Sequence, residues 1–390
     1  MTPKPFQISI PQTKLDAIKA RVRDYKWFDA PELPDDWALG MSTPVMKDIQ
    51  AYWLESYDWR AAEAKLNAYP HYKAEIEGLD IHFVHVVGEA KGRRPLILTH
   101  GWPGSVFEFW DAIGPLAYPS QHGGDPSDAF DLIIPSLPGY GFSDKPAAPI
   151  DQRRTAYLWN RLMQDVLGYD TYLAQGGDWG SVVTSWLGQD HSTFGKLGGC
   201  EAIHLNMLGF RPADAAPKSE AEIGWFKQRE TAMQTGGSYF QQQATKPQTL
   251  AMSLMDSPMG TAAWILEKFH AWSDLKDGDL RSVYTYDQLL TNVMIYLVND
   301  AIATSVWYYA AFFMGSGGAP GVRCETPTGY AAYPGEPLFS SPPQSYVERA
   351  YNITYWSEPA RGGHFAAMEV PDLFVEDLRQ WAAKTAFVQA

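Results

Sequence analysis

Cysteine is almost missing from this chain of 390 residues, which contains only Cys200 and Cys324. Two thiols are too few for a disulfide framework or a cysteine-based zinc site, and both read as small buried apolar residues. Positive charge is also short: 31 lysines and arginines face 45 acidic residues, a net charge of −14. That balance argues against a nucleic-acid surface and against a basic membrane patch. No apolar run reaches the roughly 18 residues of a transmembrane helix. Met1-Thr2-Pro3-Lys4-Pro5 does not have the pattern of a secretory signal. A soluble, cytoplasmic protein is therefore expected, and the sequon Asn352-Ile353-Thr354 reads as chance. Internal repeats and low-complexity tracts are absent too. Apolar mass is not lacking: 45% of residues are hydrophobic and 14% aromatic, ample for a large core.

The period of the apolar residues divides the chain. In residues 1–75 Leu15, Ile18 and Val22 recur at helical spacing after Pro11. Further helices are expected from Pro44 to Trp53 and from Ala61 to Asn67, separated by a Trp-, Pro- and Asp-rich loop from Trp27 to Gly40. This aromatic N-terminal helical extension is expected to pack on the rest. From His71 the pattern alternates: His71 to Ile76, a turn at Gly78 and Ile81 to Val86 read as a hairpin of strands with one exposed face. Apolar strands Pro95 to His100, Phe130 to Pro135 and Tyr172 to Gly176 alternate with helical segments, which implies a mostly parallel sheet with its site beyond the strand carboxyl ends. Residues 206–320 turn helical and read as a lid inserted between the core segments 76–205 and 321–390. Thr328 to Tyr333 is assigned to a returning strand ending at Pro334-Gly335-Glu336-Pro337. Val347 to Trp356 reads as one more strand, and Pro371 to Ala383 as a final helix.

The stretch that decides the chemistry is Gly176-Gly177-Asp178-Trp179-Gly180. Small residues flank one reactive side chain between a strand and a helix, the pattern of the nucleophile elbow of α/β-hydrolases. The nucleophile here is an aspartate. With a reference pKa of about 3.9 it is ionised at neutral pH and needs no base before attacking an sp3 carbon. The expected reaction is displacement at carbon through an enzyme ester, with opening of an epoxide or loss of a halide. No cofactor and no metal are required.

Such a nucleophile needs a base to activate water for ester hydrolysis. His364, in the loop Arg361-Gly362-Gly363-His364-Phe365, comes last in the chain as the fold's order demands. The acid orienting it is expected between them; Glu336 is chosen over Asp300, Glu348 and Glu358. The backbone N–H groups of Trp179, next to the nucleophile, and Trp102, in His100-Gly101-Trp102-Pro103-Gly104, are assigned to an oxyanion hole. A cis bond is expected before Pro103. An opening epoxide also needs a neutral donor for its oxygen, a role that suits tyrosine. Periodicity alone leaves Tyr239, Tyr284, Tyr286, Tyr296, Tyr308 and Tyr309 open.

Together with Tyr57-Asp58-Trp59-Arg60, Pro138-Gly139-Tyr140-Gly141-Phe142-Ser143 and the run on to Ala367, these motifs resemble the microsomal-type epoxide hydrolases, over nearly the whole chain. The resemblance implies an α/β-hydrolase core with a helical lid and an N-terminal extension, acting on a small-molecule epoxide. It implies Asp178 as nucleophile, His364 as base and Glu336 as its partner. It implies Tyr239, ahead of Thr245-Lys246-Pro247, and Tyr309, after Leu290-Thr291-Asn292-Val293-Met294, as the oxygen-binding pair. Adjacent Tyr308 leaves a one-residue ambiguity; it and Trp179 are assigned to substrate contact. The membrane segment that begins some relatives is missing, and a homodimer is compatible with the sequence. A haloalkane dehalogenase is the nearest alternative, with halide held by the indole N–H groups of Trp102 or Trp179. A non-catalytic small-molecule binder on the same fold is the other.

Overall fold

The computed structural model describes residues 2–194, 198–315, 318, 321–336, 338 and 340–388. Pro337, and residue 320 where the lid is expected to end, lie outside them. Among the described residues one sheet contains β1 (Lys4–Phe6), β2 (His71–Ile76), β3 (Leu79–Val86), β4 (Arg94–Thr99), β5 (Phe130–Pro135), β6 (Tyr172–Gly176), β7 (Cys200–Leu205), β8 (Cys324–Ala331) and β9 (Tyr351–Ser357). Their order is β1-β2-β3-β5-β4-β6-β7-β8-β9. Pairing is antiparallel from β1 through β3 to β5 and parallel from β5 to β9. Every residue of β5 and β6 is buried. Central parallel strands are covered on both faces, which is why they read as unbroken apolar runs.

Two consequences of this order build the site. β4 and β6 are neighbours, so the loop after the first meets the elbow after the second. β8 and β9 are parallel to them, so the loops bearing Glu336 and His364 emerge at the same edge.

The three expected N-terminal helices occur as Gln12–Arg23, Thr43–Glu55 and Trp59–Leu66. Ser42 caps the second and Asp58 the third, each accepting from a backbone N–H in the first turn. Between β7 and β8 the chain is helical: Glu220–Gly236, Ser238–Thr245, Pro247–Asp256, Pro258–Trp272, Tyr286–Val298 and Ile302–Met314. The N-terminal segment packs on these helices, with Trp37 stacked on His270 at 3.6 Å and the Tyr57 hydroxyl 3.2 Å from Thr291 Oγ1. No single described helix is long and apolar enough to cross a membrane, and Tyr286–Val298 and Ile302–Met314, apolar enough together, meet at an 86° bend.

Some elements differ from expectation. Residues 1–75 are not wholly helical, because β1 and most of β2 lie within them and extend the core sheet. Three residues are too few for β1 to show a period. The hairpin does not expose a clean face: Ile81, Phe83 and Val84 are fully buried and so is His82. β7 carried no reading of its own, and Gln344–Val347 is a short helix ahead of β9. The chain after Arg161 widens into a π-type turn at Leu162–Val166 rather than keeping the α-helical pitch.

Candidate active site

Asp178 opens the helix Asp178–Asp190 directly after β6 with φ of 47°, a left-handed conformation costing a non-glycine residue on the order of 1–3 kcal/mol. The elbow is tight because chains nearly touch. A Cβ at Gly180 would lie 1.9 Å from the Thr99 carbonyl oxygen, and one at Gly101 would lie 2.2 Å from Asp178 Oδ1. Only glycine lets β4, its loop and the elbow approach this closely.

The loop after β4 brings Trp102, assigned from the sequence to the oxyanion hole, to the elbow. Trp102 N–H donates to Asp178 Oδ1 at 2.7 Å. The Trp102–Pro103 peptide is cis, as expected. The helix Tyr286–Val298 braces this loop: Asn292 Nδ2 donates to the Pro103 carbonyl at 2.8 Å and the Tyr296 hydroxyl to the Gly104 carbonyl at 2.6 Å. Trp179 occupies the second position of its helix, where a backbone N–H has no intrahelical acceptor.

The other Asp178 oxygen, Oδ2, lies 3.4 Å from His364 Nε2. His364 Nδ1 makes a short hydrogen bond with Glu336 Oε2. Both residues are buried, so the sequence-assigned nucleophile, base and orienting acid come together. The rival acids do not reach them. Asp300 pairs with Lys14 at 2.5 Å, Glu358 accepts from its own neighbour Trp356, and Glu348 from Gln344. Burial opposes the imidazolium, but the Glu336 and Asp178 carboxylates outweigh it and hold the His364 pKa well above the usual value.

Tyr239 and Tyr309 face each other across 6.0 Å between ring centroids, both against Trp102. Burial, reinforced for both by the charge of Asp178, pushes their pKa values far up, so both stay protonated donors. The Tyr309 hydroxyl completes no hydrogen bond of good geometry among the described residues. A buried donor left unpaired in this way points to a ligand atom. Tyr308 requires a correction: its hydroxyl donates to Thr155 Oγ1 at 2.7 Å, and its ring packs edge-on against Trp179. It supports Trp179, which leaves Tyr309 as the available donor. Tyr284 and Tyr296 bond to Ser273 and Gly104, and half-buried Tyr286 packs on Tyr52.

Several participants escape a reading of the sequence. Glu369 accepts the backbone N–H groups of Gly363 at 2.9 Å, Phe365 at 2.8 Å and Asp274 at 2.8 Å, clamping the histidine loop, while burial raises its pKa to about 7. The Trp272 carbonyl accepts from His364 N at 3.0 Å, and its ring lies 4.9 Å from the imidazole. The enclosed Glu108 carboxyl is raised to about 8, by burial above all, against the pull of His364. Only the spacing Gly104 to Glu108 could have hinted at it, since a Cβ at Gly104 would collide with Glu108 Oε1 at 1.3 Å. Among the described residues no group of His, Cys, Asp and Glu side chains is arranged to hold a metal ion.

Beside this centre lies a cavity of about 510 Å³, within the usual range for small-molecule sites. Trp179, Phe240 and Phe312 are among the residues that line it. Trp179 and Phe240 pack against Tyr309 with ring centroids at 4.8 and 5.2 Å.

Comparison with known proteins agrees with this architecture. Residues 3–109 match the family described as the epoxide hydrolase N terminus, and residues 94–198 the alpha/beta hydrolase fold. Epoxide hydrolase 1 of Sus scrofa is 33% identical over 97% of this chain and 88% of its own length. Juvenile hormone epoxide hydrolase 2 of Ctenocephalides felis is 36% identical over 96% of this chain and 84% of its own. The solved structure of Aspergillus niger epoxide hydrolase, 30% identical, superposes with a TM-score of 0.85 over 99% of this chain and 97% of that one. With the epoxide hydrolase N terminus matched and relatives above 30% identical along nearly its full length, this chain belongs to the epoxide hydrolases of the α/β-hydrolase fold.

Proposed function

We propose that this protein converts an epoxide and water to a vicinal diol through an ester on Asp178. The observation that carries the proposal is the position of Asp178. One of its oxygens is held by the Trp102 N–H, the other faces His364, and two protonated tyrosines stand within electrostatic reach.

In the first step Asp178 Oδ2 attacks a ring carbon as the carbon–oxygen bond of the oxirane breaks. Tyr239 and Tyr309 donate hydrogen bonds, and then a proton, to the developing alkoxide. Esterification removes the Asp178 charge, one of the causes that keep His364 protonated. The His364 pKa then falls, its proton returns to the tyrosinate, and the imidazole becomes a base. In the second step His364, steadied by Glu336, takes a proton from water, which attacks Asp178 Cγ. The oxyanion that forms at Oδ1 is stabilised by the Trp102 and Trp179 N–H groups, each worth roughly 3 kcal/mol in comparable sites. Cleavage of the Cγ–Oδ2 bond, with the His364 imidazolium giving its proton to the leaving oxygen, releases the diol, and the new carboxylic acid at Asp178 returns a proton to His364.

The dehalogenase alternative has one feature in its favour: Trp102 Nε1 and Trp179 Nε1 are both buried and complete no hydrogen bond of good geometry among the described residues. It gives the tyrosine pair no task. Wild type and Asp178→Ala, assayed on epoxide and haloalkane panels, separate the readings. Diol from wild type alone, without halide release, is expected. Halide release without diol would support the dehalogenase, and absence of both activities a binding protein. We take the enzyme to act in the cytoplasm, and fractionation of expressing cells tests that.

A further inference from the structure

The cavity beside this centre has apolar and cationic walls. Trp179, Phe240, Phe312 and Met233 supply the former and Arg211 and Arg229 the latter; Trp179 is buried, whereas Arg229 is half-buried and Arg211 exposed. Arg211 lies beyond β7, and Arg229 is carried by the helix Glu220–Gly236. Most arginines in this acidic protein are neutralised locally: Arg153 by Asp190, Arg94 by Glu201, Arg349 by Glu222. Arg211 and Arg229 have no carboxylate partner among the described residues. Glu222, the nearest buried acid in sequence to Arg229, is already taken by Arg349 and Ser345.

Two unpaired guanidinium groups beside each other are mutually unfavourable. Burial and the neighbouring Arg211 charge both push the Arg229 pKa down. An anion placed between them would relieve that repulsion and gain forked, charge-assisted hydrogen bonds, the recognition for which arginine is best suited.

We propose that this cavity selects epoxides carrying a carboxylate at the end of an apolar chain. The chain would lie along Phe240, Phe312 and Met233, with the oxirane toward Tyr309 and the carboxylate on Arg211 and Arg229. This selectivity rests on the epoxide hydrolase reading and adds the class of substrate to it. A neutral aryl epoxide would use only the aromatic wall.

The test compares cis-epoxystearate with its methyl ester, and styrene oxide as a neutral control, on wild type and on Arg211→Gln/Arg229→Gln. Neither arginine belongs to the catalytic machinery; Arg211 is exposed and Arg229 half-buried. Wild type is expected to favour the acid over its ester in kcat/KM by about tenfold, a modest value for partly exposed charged hydrogen bonds. That preference should shrink with added salt. The double variant is expected to lose it through KM for the acid, with ester and styrene oxide turnover unchanged. A homologous series of shorter epoxyalkanoic acids should show an optimum in length. Equal turnover of acid and ester by wild type, or an equal loss for all three substrates in the variant, would overturn the proposal. Hydrolysis of styrene oxide alongside those results leaves the basic activity standing. Failure on every epoxide would instead remove the reading beneath it.

Discussion

Replacing His364 by glutamine should stop the reaction halfway. The imidazole makes no bond to the epoxide; its Nε2 lies 3.4 Å from Asp178 Oδ2 and its Nδ1 is held by Glu336. Ring opening depends on Asp178 and the two tyrosines, all of which remain. Water activation loses its base: Glu108 retains its proton to about 8, and Glu369 is bonded to three backbone N–H groups. Loss of a general base slows a step by about 10²–10⁴-fold, or roughly 3–5 kcal/mol. Glutamine is comparable in size and still offers an N–H toward Glu336, so the loop clamped by Glu369 should persist. Rapid-quench kinetics on the variant should show one equivalent of epoxide consumed per site, followed by very slow diol release. Intact mass should rise by the mass of the substrate, with the adduct mapped to the peptide containing Asp178. Normal steady-state turnover, an equal loss in both half-reactions, or an adduct on another residue would refute this reasoning.

Further outcomes follow from the same geometry. Tyr239→Phe and Tyr309→Phe should each lower the rate of ester formation by about 10²-fold, whereas Tyr308→Phe, whose hydroxyl is spent on Thr155, should stay within a few-fold; single-turnover rates decide. Hydrolysis of the ester should weaken in acid, because His364 must then be neutral; a pH-independent hydrolysis step would contradict its role. In folding, the raised His364 pKa acts in the opposite sense: the stability it contributes is present below the ordinary histidine value and is lost as pH rises through the folded-state value. Glu108 holds its proton to about 8 when folded and releases it near 4.5 when unfolded, so wild type loses stability as pH climbs through that window. Glu108→Gln should therefore match wild type in acid and exceed it above that window by at least about 1 kcal/mol, read as melting temperature against pH. Glu369→Ala removes the acceptor of three backbone N–H groups and should destabilise by about 1–3 kcal/mol while depressing activity through His364; an unchanged melting temperature would speak against the clamp.

That Asp178 and His364 would come together in one candidate site was legible because their signals are local. A strand ending in Gly-Gly-Asp, or a histidine between glycines and a phenylalanine, states its turn chemistry within a few residues. The ambiguity between Tyr308 and Tyr309 arose because adjacent positions on a helix turn about 100° apart and both are buried here. Only the partner of each hydroxyl separates them, and Thr155 lies far away in sequence. β1 was too short to show alternation. Glu369 and Glu108 act through backbone groups and through enclosure, which leave no pattern in the chain. The unpaired state of Arg211 and Arg229 is likewise visible only once every neighbouring acid has been assigned elsewhere.

The most direct test of the account is a single turnover of an aryl epoxide, enzyme in excess, in heavy-oxygen water. Passage through the Asp178 ester predicts a diol containing only light oxygen, with the heavy isotope recovered in the carboxyl group of Asp178. Heavy oxygen in the diol of that first turnover, with none in Asp178, would mean that water attacks the epoxide directly and would contradict the central claim.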